Sequence, residues 1–205
     1  MTYLNLVISN ISITFVFILK NKNMSTLIIH PNDPSTTFLE RMYAPIEDKT
    51  VITGGYSKRE IAQMIQEHDR VMMMGHGTPW GLLSIGEFYL TGDYIIDYNL
   101  VPILMEKKDS VFIWCHANQF VDHYKLKGFY SGMFISEVGE AHYCHLNGVG
   151  QPFVDQSNFG FVDIVAKHIN KDTQNLHENV KREYGVIAET NPVAQYNNER
   201  LYLNL

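Results

Sequence analysis

Two short runs, RVMMM at Arg70–Met74 and VFIWC at Val111–Cys115, constrain this chain more than any other feature. Neither alternates apolar with polar residues. Each therefore suits a strand covered on both faces, as in a parallel sheet flanked by helices. A parallel pair needs a crossover connection of a dozen or more residues, and the segment 75–110 supplies one. The sequence around these runs repeats the theme from Met24 onward. Strands are predicted at Ser25–His30, Thr50–Thr53 and Gly128–Ile135, and helical patterns lie between and after them.

The punctuation agrees with this reading. Asp33-Pro34 offers an N-cap followed by proline at the first helical position, opening a helix over Ser35–Tyr43. Ser57 and Glu60 form a capping box for a helix through Gln66. Residues 81–96 alternate and contain a Thr91-Gly92-Asp93 turn, predicting a small hairpin excursion. Further helices are predicted over 97–107, 118–126, 136–145, 157–169 and 173–184. One or two helical turns are expected after Pro192. The expected fold is a single three-layer α/β sandwich, with a mainly parallel sheet between helices, spanning residues 24–205.

Residues 1–23 are read separately. Tyr3–Leu19 is apolar but carries Asn5, Ser9, Asn10, Ser12 and Thr14, and 17 residues is the short edge of a membrane span. No positive charge precedes it and no small-residue cleavage site follows it, so a signal peptide fits poorly. The expectation is an N-terminal extension, from a start assigned upstream of Met24 or serving as a weak anchor.

Composition narrows the function classes. Hydrophobic residues make up 45% and charged residues 19%, enough for a packed core. A net charge of −6 with no basic block argues against nucleic acid as the partner. Two cysteines, Cys115 and Cys144, make no disulfide framework and no C-x-x-C pair, so a reducing, cytoplasmic setting is expected.

In open parallel sheets, ligands bind beyond the carboxyl ends of the strands. Two predicted strands end there on reactive residues: one runs into Gly75-His76-Gly77, the other ends on Cys115. If the strands are neighbours, about 4.8 Å apart, imidazole and thiol share one crevice. That pairing makes a thiolate nucleophile near neutral pH. Gly77 adds an unshielded backbone N–H for a developing oxyanion. Glu137 and Glu140 follow the next strand on the same edge. Acids in a first helical turn support the helix dipole without any ligand. His142 and His145, with Cys144, His116, His76 and Cys115, hold enough donors for zinc, but lack H-E-x-x-H or C-x-x-C spacing.

The pieces VMMMGHGTPWG (Val71–Gly81) and VFIWCHAN (Val111–Asn118) resemble the caspase-type cysteine peptidases, a group with gingipain-like, legumain-like and CHAT-type members. The likeness follows strand order over residues 24–170 and rests on about a dozen motif positions. It implies a general base at His76, a nucleophile at Cys115, oxyanion donors at the N–H groups of Gly77 and Cys115, a peptide or protein substrate, and no cofactor. It also implies pocket residues from loops such as the one carrying Glu137 and Glu140, where an acid, with Glu137 the candidate, would select a basic substrate side chain. The chain departs from the family pattern at Trp114 and at His116-Ala117-Asn118. Two alternatives accompany the thiol peptidase: a catalytically inactive domain of this fold that binds a protein partner, and a metal-dependent hydrolase using the histidines of residues 142–145.

Overall fold

The computed structural model describes residues 24–205. The reading of residues 1–23 lies outside the described residues. Six strands form the central sheet: β1 (Thr26–Ile29), β2 (Lys49–Ile52), β3 (Arg70–Met74), β7 (Ser110–Ile113), β8 (Gly128–Ser131) and β9 (Leu201–Asn204). Their order is β2-β1-β3-β7-β8-β9. All neighbouring pairs are parallel except β8–β9. A second sheet joins β4 (Gly77–Thr78), β5 (Gly81–Leu83) and β6 (Tyr94–Ile96) in antiparallel fashion.

The apolar runs are buried on both sides, and alternate residues divide between two cores. Met73, Phe112 and Trp114 face one layer, with Ile61 and Ile65 of α2 (Lys58–Glu67), Leu104 of α3 (Val101–Leu104) and Phe120 of α4 (Ala117–Tyr124). Met72, Met74, Val111 and Ile113 face the other. There they meet Met42 of α1 (Glu40–Tyr43), Phe161 and Val165 of α6 (Gln151–His168), and Leu176 and Tyr184 of α7 (Thr173–Ala188). The result is the expected three-layer α/β arrangement with a mainly parallel sheet. No helix among the described residues is long and apolar enough to cross a membrane.

Several elements differ from the sequence reading. The expected helix over 97–107 is a turn of 3-10 helix at Tyr98–Leu100 followed by the four-residue α3. The strand expected over 128–135 stops at Ser131. Beyond it Gly132 packs against Arg200 and Tyr202 side chains, and its N–H donates to Arg200 O at 2.8 Å. The departing chain is then caught by Asn197, a buried residue of α8 (Pro192–Glu199). Its Oδ1 accepts from Ile135 N at 2.7 Å and its Nδ2 donates to Ile135 O at 2.8 Å, replacing the ladder bonds that a longer strand would have made. Helix α6 starts six residues before its expected first residue, because Pro152 sits in its first turn, where a missing N–H costs nothing. The tail supplies α8 and also the edge strand β9.

Candidate active site

The site lies at the carboxyl ends of β3 and β7, hydrogen-bonded neighbours with Met74 opposite Ile113. Gly75 has φ +139°, a backbone shape that favours glycine, and its N–H donates to Ile113 O at 3.1 Å. This turn delivers His76 on the same side as Met74. β7 ends at Ile113, and Cys115 follows two residues on, in the turn beyond it, where it lines the same pocket as Ile113, Leu39 and Phe134. The chain then turns sharply: His116 is left-handed at φ 67°, and its N–H donates to Gly132 O at 3.2 Å before α4 begins.

Trp114 connects the two reactive loops. A Cβ on Gly77 would lie 2.1 Å from Trp114 Cδ1, so the indole occupies the space a side chain would need. Its Nε1–H donates to Thr78 O at 3.2 Å. The large residue before the cysteine, a departure from the caspase-type pattern, is thus the packing partner of the glycine after the histidine.

His76 and Cys115 line one small pocket with Thr36, Leu39, Phe134 and Glu140. Its volume is about 20 Å³, room for a single water and not for a substrate side chain. No hydrogen bond joins the imidazole to the thiol. Cys115 Sγ lies 3.7 Å from Phe134 O and 3.9 Å from Glu140 Oε1. Burial, and then the Glu140 carboxylate, push the thiol up to about 11, so in this arrangement it is protonated. Cys115 N–H makes no hydrogen bond among the described residues.

His76 instead engages the loop after β1. Its Nε2 lies 2.7 Å from Ser35 Oγ, and Ser35 Oγ–H and N–H both reach Asp33 Oδ1, at 2.7 and 2.8 Å. Those two bonds, with the nearby imidazoles of His76 and His30, hold the Asp33 carboxyl below the usual carboxylate range. Beneath them His30 is buried between Tyr43 Oη at 3.1 Å and Thr36 Oγ1 at 3.2 Å. Desolvation lowers its pKa to about 4, against the opposing pull of Thr36 and Asp33.

Two expected site residues stand elsewhere. Glu137 is exposed and caps α5 (Val138–Tyr143), outside the pocket. Glu140 takes the inward place: its Oε2 accepts from Ser136 N, Ser136 Oγ and Glu137 N at 2.7, 3.0 and 3.2 Å, leaving Oε1 beside the thiol. The capping box therefore positions the acid that meets Cys115. Gly77 is not in the pocket lining; it pairs with Leu82 in β4 and rests on Trp114.

His142 and His145 are exposed, and no group of three or more His, Cys, Asp or Glu among the described residues could hold a metal. A larger hollow of about 310 Å³ contains Arg70 and Asp48 but no nucleophile. Sequence reasoning missed Ser35 as a site residue and missed His30. The legible signal was Asp33-Pro34-Ser35 directly after a strand that neighbours the His76 strand. Comparison with family models, with curated proteins and with solved structures gives no match to this chain.

Proposed function

We propose that this chain is a cysteine-nucleophile hydrolase of the caspase-like type, acting on a peptide or protein, and that the arrangement described is its resting form. The observation that carries the reading is the meeting of His76 and Cys115 in one pocket at the ends of adjacent parallel strands. In the reaction, His76 takes the Cys115 proton and the sulfur adds to the substrate carbonyl. The oxyanion is received by Cys115 N–H. Collapse breaks the C–N bond, His76 returns its proton to the leaving amine, and water then hydrolyses the thioester.

The resting character follows from the pocket. A thiol held up to about 11 beside a carboxylate is not a nucleophile at neutral pH. Substrate or an activating event must move the 132–140 segment, withdraw Glu140 and open room for a side chain. The test is cleavage of a mixed peptide library followed by mass spectrometry. Wild type opened by substrate, or Glu140→Gln where it is not, should cut, and Cys115→Ala and His76→Ala should not in either background. Full cleavage by Cys115→Ala would remove the mechanism.

A second reading is a catalytically silent domain that binds a protein partner. The bonding of Cys115 to Phe134 and Glu140 rather than to His76 favours it. Absence of cleavage by wild type and by Glu140→Gln alike would select this reading.

A further inference from the structure

We propose that Asp33 and Ser35 form a relay that holds His76 in its Nε2–H tautomer and leaves Nδ1 as the basic nitrogen of the site. The catalytic importance of this relay rests on the hydrolase reading; the relay itself is a claim about protons and can be tested apart from it.

Ser35 Oγ carries one proton and has two claimants, Asp33 Oδ1 and His76 Nε2, each at 2.7 Å. A carboxylate is the stronger acceptor, since charge-assisted hydrogen bonds are about twice as strong as neutral ones. Asp33 also receives Ser35 N–H at 2.8 Å on the same oxygen, so the carboxylate is already aimed at this residue. The hydroxyl proton therefore goes to Asp33, and the Ser35 oxygen offers a lone pair to His76. Nε2 must then be the donor. A neutral imidazole has only one such proton, so Nδ1 is left as an unprotonated lone pair. His76 Nδ1 makes no hydrogen bond among the described residues.

The backbone builds this device locally. Asp33 is the N-cap of the 3-10 turn Pro34–Leu39, with φ −130° and ψ 125°, and Pro34 fixes the next φ. That turn follows β1, which pairs with β3, so the relay and the imidazole rise from neighbouring strand ends. When Nδ1 accepts the Cys115 proton, the new positive charge on the ring is shared through Nε2–H and Ser35 with the Asp33 carboxylate. Asp33 and Ser35 are thus positioning residues for His76. The same geometry argues against Ser35 as nucleophile, because its proton is directed away from the base.

The experiment uses the full chain with 15N-labelled histidine, the His76 signals being identified by their loss in His76→Gln. Wild type should show Nε2 protonated and Nδ1 bare, with an Nε2–H signal slow to exchange with water. Ser35→Ala and Asp33→Asn should lose that slow exchange, and Ser35→Thr, which keeps a hydroxyl, should retain it. On peptide substrate, Ser35→Ala should lower kcat about tenfold with KM little changed, less than the 10²–10⁴-fold expected for losing a general base; Ser35→Thr should recover it. An Nδ1–H tautomer in wild type, or an Nε2–H signal untouched by Ser35→Ala, would overturn the relay. Turnover abolished by Ser35→Ala but kept by Cys115→Ala would make Ser35 the nucleophile and also overturn it. The expected tautomer and exchange behaviour, with no cleavage by wild type or by Glu140→Gln, would sink the hydrolase reading and leave the relay standing.

Discussion

Glu140→Gln isolates the charge that holds the candidate nucleophile silent. The carboxylate oxygen is 3.9 Å from Cys115 Sγ, and it is the second cause, after burial, of a thiol pushed up to about 11. At pH 8 such a thiol is ionised to about one part in a thousand. At this distance a unit charge is worth about 1 kcal/mol in water and about 4 kcal/mol at an effective dielectric constant of 20. Its removal should lower the thiol pKa by about one to three units. Nucleophilicity falls with pKa, by about 0.45 log units per unit, so the net gain in alkylation rate is roughly 3- to 40-fold. Glutamine keeps the length and an oxygen for the Ser136 donors, limiting the loss of the cap to about 1 kcal/mol. The assay is the second-order rate of iodoacetamide labelling between pH 7 and 9, in a Cys144→Ser background so that one thiol reports. An unchanged rate across that range would refute the electrostatic account of the resting site.

Two further outcomes concern residues packed around the pocket. His30 has its pKa lowered to about 4 by burial, so its unfolded state binds the extra proton; the stability it contributes is full above about 6.5 and is lost as pH falls through about 4. The loss amounts to about 3 kcal/mol, and His30→Gln should flatten the pH dependence of the denaturant midpoint in that window; an equal slope in both proteins would contradict the burial of a neutral imidazole. Gly77→Ala should destabilise the fold by about 1–3 kcal/mol, a fall in Tm of about 2–12 °C, because the new methyl meets a Trp114 that is only 1% exposed. An unaltered Tm would show that the indole has room to move.

Much of the architecture was legible because burial on both faces leaves a plain signature. RVMMM is a central strand throughout, the run Val111–Cys115 is one as far as Ile113, and Ser57 with Glu60 marks the start of α2. The edge strand β9 was not legible: LYLN is four residues that begin one residue after α8, and its place comes from pairing with β8. The helix over 97–107 was overread: Leu100, Val101 and Leu104 are buried as a helical pattern asks, but they sit on a 3-10 turn followed by only four α-helical residues. At the site, the nearness of His76 and Cys115 was legible from two apolar runs that one crossover can set side by side. What they bond to was not, because Ser35 is 41 residues from His76 and Glu140 is 25 residues from Cys115. Glu137 and Glu140 were both visible as acids after β8, but only the cap geometry decides which of them turns inward.

The most direct measurement of the central claim, that His76 and Cys115 act as one pair, is adduct formation with an electrophilic peptide such as a peptidyl acyloxymethyl ketone, mapped by mass spectrometry in wild type and His76→Gln. The account predicts a covalent adduct at Cys115 in wild type, faster in Glu140→Gln, and none within the same time in His76→Gln. Labelling of Cys115 at equal rates with and without His76, or an adduct confined to Cys144, would contradict it.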